Sequence, residues 1–192
     1  MVGYHKPTLP SHDDYIFDLV DAVLSAGRTS RLYQRLVEKE RIAVQVNTSN
    51  GMPGARYDNL FTIMATPRYP HTVQELEQAI YEEIERLKKE PVTDRELQKV
   101  KNQLSGDFIR SLDSNPGLAS ELSYFETVAG DWKYIDTHLE VVDKITPAEI
   151  QKSVQKYLTD ENRTVAFLLP RGQKGQMRLD PNQADPNKAT GK

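Results

Sequence analysis

At residue 42 the apolar pattern of the chain changes period, and that change restricts the fold more than any other feature. Upstream, Ile16, Leu19, Val20, Val23 and Leu24 recur at helical spacing, and Leu32 with Leu36 forms a second stripe, with Tyr33 and Val37 beside it. From Ile42 the pattern alternates. Ile42, Val44 and Val46 point one way and Ala43, Gln45 and Asn47 the other, which predicts a half-buried strand. The run NTSNGMPGARYDN reads as a long turn. Residues 60–66, with Phe61, Ile63 and Ala65 on one face, return as a second strand antiparallel to the first. A long helical block follows, and RTVAFLLP at 163–170 adds a short buried strand. Strands interrupted by such a block do not build βαβ units. The expectation is an α+β fold: a two-layer sandwich with an antiparallel-rich mixed sheet covered by helices on one face.

Element boundaries are written in the capping residues. Thr72 with Glu75, Thr93 with Glu96, and Thr146 with Glu149 each have the spacing of a capping box. Val92 with Leu97 and Ile145 with Ile150 add hydrophobic staples, and Pro147 takes the first helical position, where its missing N–H costs nothing. Leu76, Ile80, Ile84 and Leu87 form one buried stripe, and Leu97, Val100, Leu104, Phe108 and Leu112 another. Asn115 and Pro116 open a further helix through Leu118, Leu122 and Phe125; Trp132, Ile135, Leu139 and Val142 mark the next. Ser11 with Asp14 starts the first helix and Gly27 stops it, while Thr29 or Ser30 starts the second. MVGYHKP is a strand fragment ended by Pro7, and its natural start is expected upstream. Residues 171–192 are polar and rich in Gly and Pro, so a folded domain over 1–170 with a flexible polar tail is expected.

Charge and motifs exclude several functions. With 25 basic against 28 acidic residues and no basic block, nucleic acid is not an expected partner. No apolar run reaches the roughly 18 residues of a membrane span. The absence of cysteine removes disulfides and thiolate metal sites but leaves the compartment open. His5, His12, His71 and His138 are never three or four apart, so no zinc pair is legible. His138 and Glu140 are expected on different helix faces, in solvent, and His12 with Asp13 and Asp14 suits a helix N-terminus better than a catalytic dyad. There is no G-x-S-x-G elbow and no phosphate loop; GQKG at 172–175 lies in the tail. EEIERLKKE at 82–90 reads as a solvated face with Glu85 and Lys89 paired. Arg28, Arg31 and Arg35 could grip a peptide carboxylate or a partner's acidic side chain, with ordinary salt bridging the favoured reading.

The run AGRTSRLYQRLVEKERIAVQV at 26–46, GDW at 130–132 and VVDKITPAEIQKSVQKYLTDENRTVAFLLP at 141–170 together resemble the C-terminal half-domain of pitrilysin/insulinase-type zinc metallopeptidases, which include the mitochondrial processing peptidase subunits. The resemblance covers nearly all of residues 1–170. It implies one of two homologous half-domains that close around unfolded peptide, with zinc held by H-x-x-E-H in the other, N-terminal half. Members whose C-terminal half contributes to catalysis read L-R-E-K-x-x-L-A-Y across this helix and strand. Here the same register runs from Leu36 to Val44, and Val37 and Val44 occupy the Arg and Tyr positions. Valine offers no hydrogen bond to an oxyanion or peptide carbonyl, so no catalytic, cofactor or metal residue is assigned. The resemblance implies as partners an N-terminal half-domain of the same chain, a homologous subunit carrying the Arg and Tyr pair, and unfolded peptide; a scaffold or assembly subunit with no peptidase activity is the alternative. Val37 and Val44 are expected to face apolar surroundings or the chamber wall. If the full-length chain is exported, the bacterial periplasm is favoured over the cytoplasm.

Overall fold

The computed structural model describes residues 1–169, so the expected polar tail at 171–192 lies outside the described residues. Four strands form one sheet in the order β2-β3-β1-β4: β1 (Val2–Lys6), β2 (Ala43–Met52), β3 (Asn59–Pro67) and β4 (Arg163–Val165). All three pairings are antiparallel, with Tyr4 opposite Phe61 and Val2 opposite both Ile63 and Val165. That register puts Val2, Tyr4, Phe61 and Ile63 on one buried face. Phe17 of α1 (His12–Ser25) lies on this face, its ring 5.2 Å from Phe61 and 5.8 Å from Tyr157 of α6 (Pro147–Tyr157). Met64 is 41% exposed on the opposite face, so the sheet is covered by helices on one side as expected.

The helices form where their stripes and caps require. In α2 (Val73–Lys89), Leu76, Ile80, Ile84 and Leu87 are all buried, and Thr72 and Glu75 exchange both hydrogen bonds of a capping box. Thr146 and Glu149 do the same for α6. At α3 (Asp94–Ser111) only half of the box forms, because the Glu96 carboxylate is taken by Arg31. Ser11 stands at the N-cap of α1 without a side-chain bond. The far end of α3, together with α4 (Asn115–Val128) and α5 (Tyr134–Lys144), is sparsely buried: Phe125 is the only buried residue of α4 and Val142 the only one of α5. Trp132 precedes α5 instead of starting its stripe and is 47% exposed.

Several sequence expectations are corrected. The stretch read as a long turn is mostly strand: β2 continues to Met52, opposite Leu60, and only residues 53–58 turn. Its polar residues hid it, because Thr48 and Asn50 face α1, where Thr48 bonds Asp21 and Ser25 and the Asn50 amide nitrogen donates to Asp18. The strand expected at 163–170 spans only Arg163–Val165, half-buried at the sheet edge, and Leu168 is almost fully exposed. The phase assigned to β2 also fails at its start. Ala43 is buried and Val44 exposed, because the register shifts between Ala43 and Gln45 and the bulge turns Val44 outward before Val46 resumes the buried phase.

Candidate functional site

The Arg and Tyr positions of the family register lie on the segment with the least regular backbone. Ser30 donates to the Gly27 carbonyl at 2.7 Å, which closes the turn ahead of the helix. The helix expected to be α becomes a π-helix over Tyr33–Lys39, with the Glu40 N–H reaching the Arg35 carbonyl at 2.9 Å. Arg41 then adopts φ of +55°, left-handed and unusual for a residue with a side chain, and the bulge at Val44 follows. Leu32 and Leu36 anchor the segment, both fully buried. Val37 is half-buried against the core, whereas Val44 is 55% exposed. One of the two valines thus meets apolar packing and the other meets open surface.

The arginines of this segment are engaged by carboxylates. Arg31 Nε and Nη2 each donate to Glu96 at 2.8 Å, a two-pronged bond that pins the π-helix region to α3. Arg35 donates to Glu40 at 2.6 Å, to Glu82 at 2.5 Å and to the Ala79 carbonyl at 3.2 Å, pinning it to α2. Arg28 contributes its carbonyl, which accepts from Gln34 Nε2 at 2.6 Å. The salt-bridge reading therefore holds for Arg31 and Arg35. The solvated reading of residues 82–90 fails at Glu83, which is fully buried, 2.9 Å from Arg86 and 3.9 Å from Arg35. Burial pushes the Glu83 carboxyl above its usual range against the pull of Arg86, Arg31 and Arg35. At Glu96 the balance reverses: burial pushes upward, but the Arg31 bonds hold the carboxyl below the ordinary range. Arg31→Ala is expected to cost about 2 kcal/mol, since two charge-assisted bonds disappear and Glu83 loses a nearby positive charge. Urea unfolding measures this, and Arg31→Lys should recover only part of the loss because an ammonium cannot reproduce the fork.

A second polar cluster was not legible in the sequence. A cavity of about 130 Å³ is lined by Asp14, Asp18, Asn50, Glu121, Tyr124 and His138, among others. Asn50 Nδ2 donates to Asp18 at 2.8 Å, while Asn50 Oδ1 is buried without a partner among the described residues. His138, expected in solvent, is half-buried instead. Its ring centroid lies 5.4 Å from Tyr15, 4.8 Å from Phe108 and 5.8 Å from Phe125, and burial lowers its pKa. Helical spacing alone could not place it there, because the surrounding rings come from α1, α3 and α4.

Among the described residues, no group of three or more His, Asp or Glu side chains could hold a metal ion, and no helix is long and apolar enough to cross a membrane. The family profile of the peptidase M16 inactive domain matches residues 1–104. The chain belongs to this family. Among curated relatives, the zinc protease PqqE of Helicobacter pylori is 25% identical over 169 residues, covering 88% of this chain and 37% of its own length. The uncharacterized zinc protease YmxG of Bacillus subtilis is 25% identical over 163 residues, covering 82% of this chain and 38% of its own length. The chain thus spans about two fifths of these relatives. A protease structure from Helicobacter pylori superimposes with a TM-score of 0.77 at 25% identity, over 84% of this chain and 38% of that one. A domain-sized structure from Bordetella pertussis also reaches 0.77, at 22% identity, over 88% of this chain and 92% of that one, and shares the fold. The resemblance to the pitrilysin-type C-terminal half-domain holds in both family and architecture.

Proposed function

We propose that this M16 inactive domain is the non-catalytic C-terminal half of a zinc metalloendopeptidase and forms the wall of a substrate chamber opposite a zinc-bearing N-terminal half. The observation that carries this reading is the pair Val37 and Val44, one packed on the core and the other projecting from a bulge, with no donor for an oxyanion or a peptide carbonyl. Of the nearby arginines, Arg31 and Arg35 are engaged by Glu96, Glu40 and Glu82. In this reading an N-terminal half-domain of the same protein supplies zinc, a homologous subunit supplies the Arg and Tyr pair, and unfolded peptide is the substrate. For an exported full-length chain the compartment is the periplasm.

The purified chain is expected to contain no zinc and to leave an unstructured polypeptide such as casein intact. Metal analysis together with a fluorogenic peptide assay tests this; stoichiometric zinc, or turnover by the chain alone, contradicts it. The second reading, an assembly subunit without peptidase activity, is favoured by the exposed apolar residues Ile109, Leu118 and Trp132 on and beside α3 and α4. The longer protein separates the two readings: an H-x-x-E-H motif with bound zinc supports the first, and its absence the second.

A further inference from the structure

The cavity beside His138 has a one-sided chemistry. The carboxylates of Asp14 and Asp18 from α1 and of Glu121 from α4 line it, together with the Asn50 amide of β2 and the rings of Phe108, Tyr124, Phe125 and His138. Among the described residues no lysine or arginine lines it, and neither Asp18 nor Glu121 forms an ion pair. Lys6 binds Oδ1 of Asp14, and no hydrogen bond among the described residues reaches Oδ2, although this side chain is only 8% exposed. Asn50 Nδ2 is engaged by Asp18 at 2.8 Å and by the Asp14 carbonyl at 3.2 Å, whereas Asn50 Oδ1 and His138 Nδ1 are buried without partners among the described residues. The unmet atoms are thus oxygens with free lone pairs and, in one tautomer, a ring nitrogen with one. Enclosed acceptors without a donor carry a desolvation cost, which a bound donor removes.

We propose that this cavity binds a guanidinium group, stacked on the rings and donating to Asp18, Glu121 and Asn50 Oδ1. A guanidinium is planar, carries N–H donors around its rim and accepts nothing, which matches acceptors converging from separate elements. It is more weakly hydrated than an ammonium, so it loses less on entering a ring-lined space, and the aromatic faces attract its charge. The volume of about 130 Å³ admits the group with a short alkyl stem, and Tyr124, 40% exposed, stands at the entrance. The ligand competes with a proton: burial pushes the Asp18 carboxyl up to about 7, and a positive charge beside it favours the ionised form. Two sources carry this chemistry, a free alkylguanidine and the arginine side chain of a peptide.

The experiment titrates methylguanidinium into the whole chain at constant ionic strength and follows NMR signals of the Asn50 side-chain amide and the His138 ring. At pH 8 both are expected to shift and saturate with a dissociation constant of roughly 1 mM, while N-methylurea, a neutral planar analogue, leaves them unmoved. Asp18→Asn and Glu121→Gln should each weaken binding by about tenfold. Binding at pH 5 should be weaker than at pH 8 by a similar factor, since Asp18 then holds its proton. The titratable groups facing the ligand are Asp14 and Asp18 of α1, Glu121 and Tyr124 of α4 and His138 of α5, with Lys6 of β1 bound to Asp14; Asn50 of β2 and Phe108 of α3 bring no charge. If N-acetyl-arginine methylamide binds as tightly as methylguanidinium, the ligand is a peptide side chain; if only methylguanidinium binds, it is a free alkylguanidine, and both results support the proposal. Shifts that stay linear with concentration, N-methylurea binding as tightly, or saturation unchanged in Asp18→Asn would overturn it.

Discussion

Replacing Lys6 with alanine is expected to lower the unfolding free energy by about 3–5 kcal/mol, the range for removing one partner of a buried ion pair. The Lys6 side chain is 0% exposed and its ammonium is bound by Asp14, itself only 8% exposed, and by the Pro7 carbonyl at 3.0 Å. The ammonium also lies 5.9 Å from the centre of the Phe17 ring, within the core that joins sheet to helix. Truncating Lys6 strands a carboxylate whose side chain is only 8% exposed. The loss is chiefly the penalty of the abandoned charge. A double variant, Lys6→Met with Asp14→Leu, is therefore expected to recover most of the stability lost by either single change. Urea unfolding of the four proteins in the cycle decides it. Single variants costing less than about 1 kcal/mol would show that the pair is better solvated than its burial indicates.

The second large effect is a decline of stability with rising pH, centred on Asp18. Burial is the main cause that pushes this carboxyl up from 3.8 to about 7; the Asn50 bond pulls it down, Asp14 and Asp21 push it further up, and Lys6 opposes them. Between those two values the folded chain keeps a proton that the unfolded chain has released. The unfolding free energy must then fall as pH rises from about 4 to about 7, with a slope approaching 1.4 kcal/mol per pH unit. Asp18 retains some solvent contact, so a total of about 3 kcal/mol is a fair expectation. The hydrogen-bond geometry agrees with the sign, since a protonated Asp18 brings an O–H donor beside the unpartnered Asn50 Oδ1. Asp18→Asn supplies an amide donor there at every pH. Its melting temperature should exceed the parent's at pH 8, and the difference should vanish or reverse at pH 5. A constant difference across that range would remove Asp18 as the cause. Asp13 titrates in the opposite sense: its bonds from Tyr157 and Ser153 and its contact with Lys156 outweigh burial and lower its pKa, so its contribution is present above pH 3.8 and is lost as the solution becomes more acidic.

The two valines gain meaning from the backbone around them. A π-helix, a left-handed Arg41 and a β-bulge within residues 33–44 re-aim side chains relative to regular elements, and such irregularities concentrate at functional positions. In this chain the irregular frame stands while positions 37 and 44 carry only aliphatic groups. Arg31 and Arg35, fastened to α3 and α2, hold the frame in place from behind.

Local chemistry determined much of this protein from its sequence alone. The helical stripes of α1 and α2, the caps at Thr72 and Thr146, the alternation of Phe61, Ile63 and Ala65, and the aliphatic identity of residues 37 and 44 each depend on residues close together in the chain, where periodicity and hydrogen-bond chemistry act directly. What only the tertiary structure decided involves partners distant in the chain. The polar second half of β2 is a strand because α1 supplies hydrogen-bond partners to Thr48 and to the Asn50 amide nitrogen; Glu96 leaves its cap because Arg31, 65 residues away, forms a better bond; His138 is half-buried because three helices bring rings to it. Val44 faces outward because pairing with β3 absorbs an extra residue at the bulge, a register choice that a single strand's pattern cannot encode.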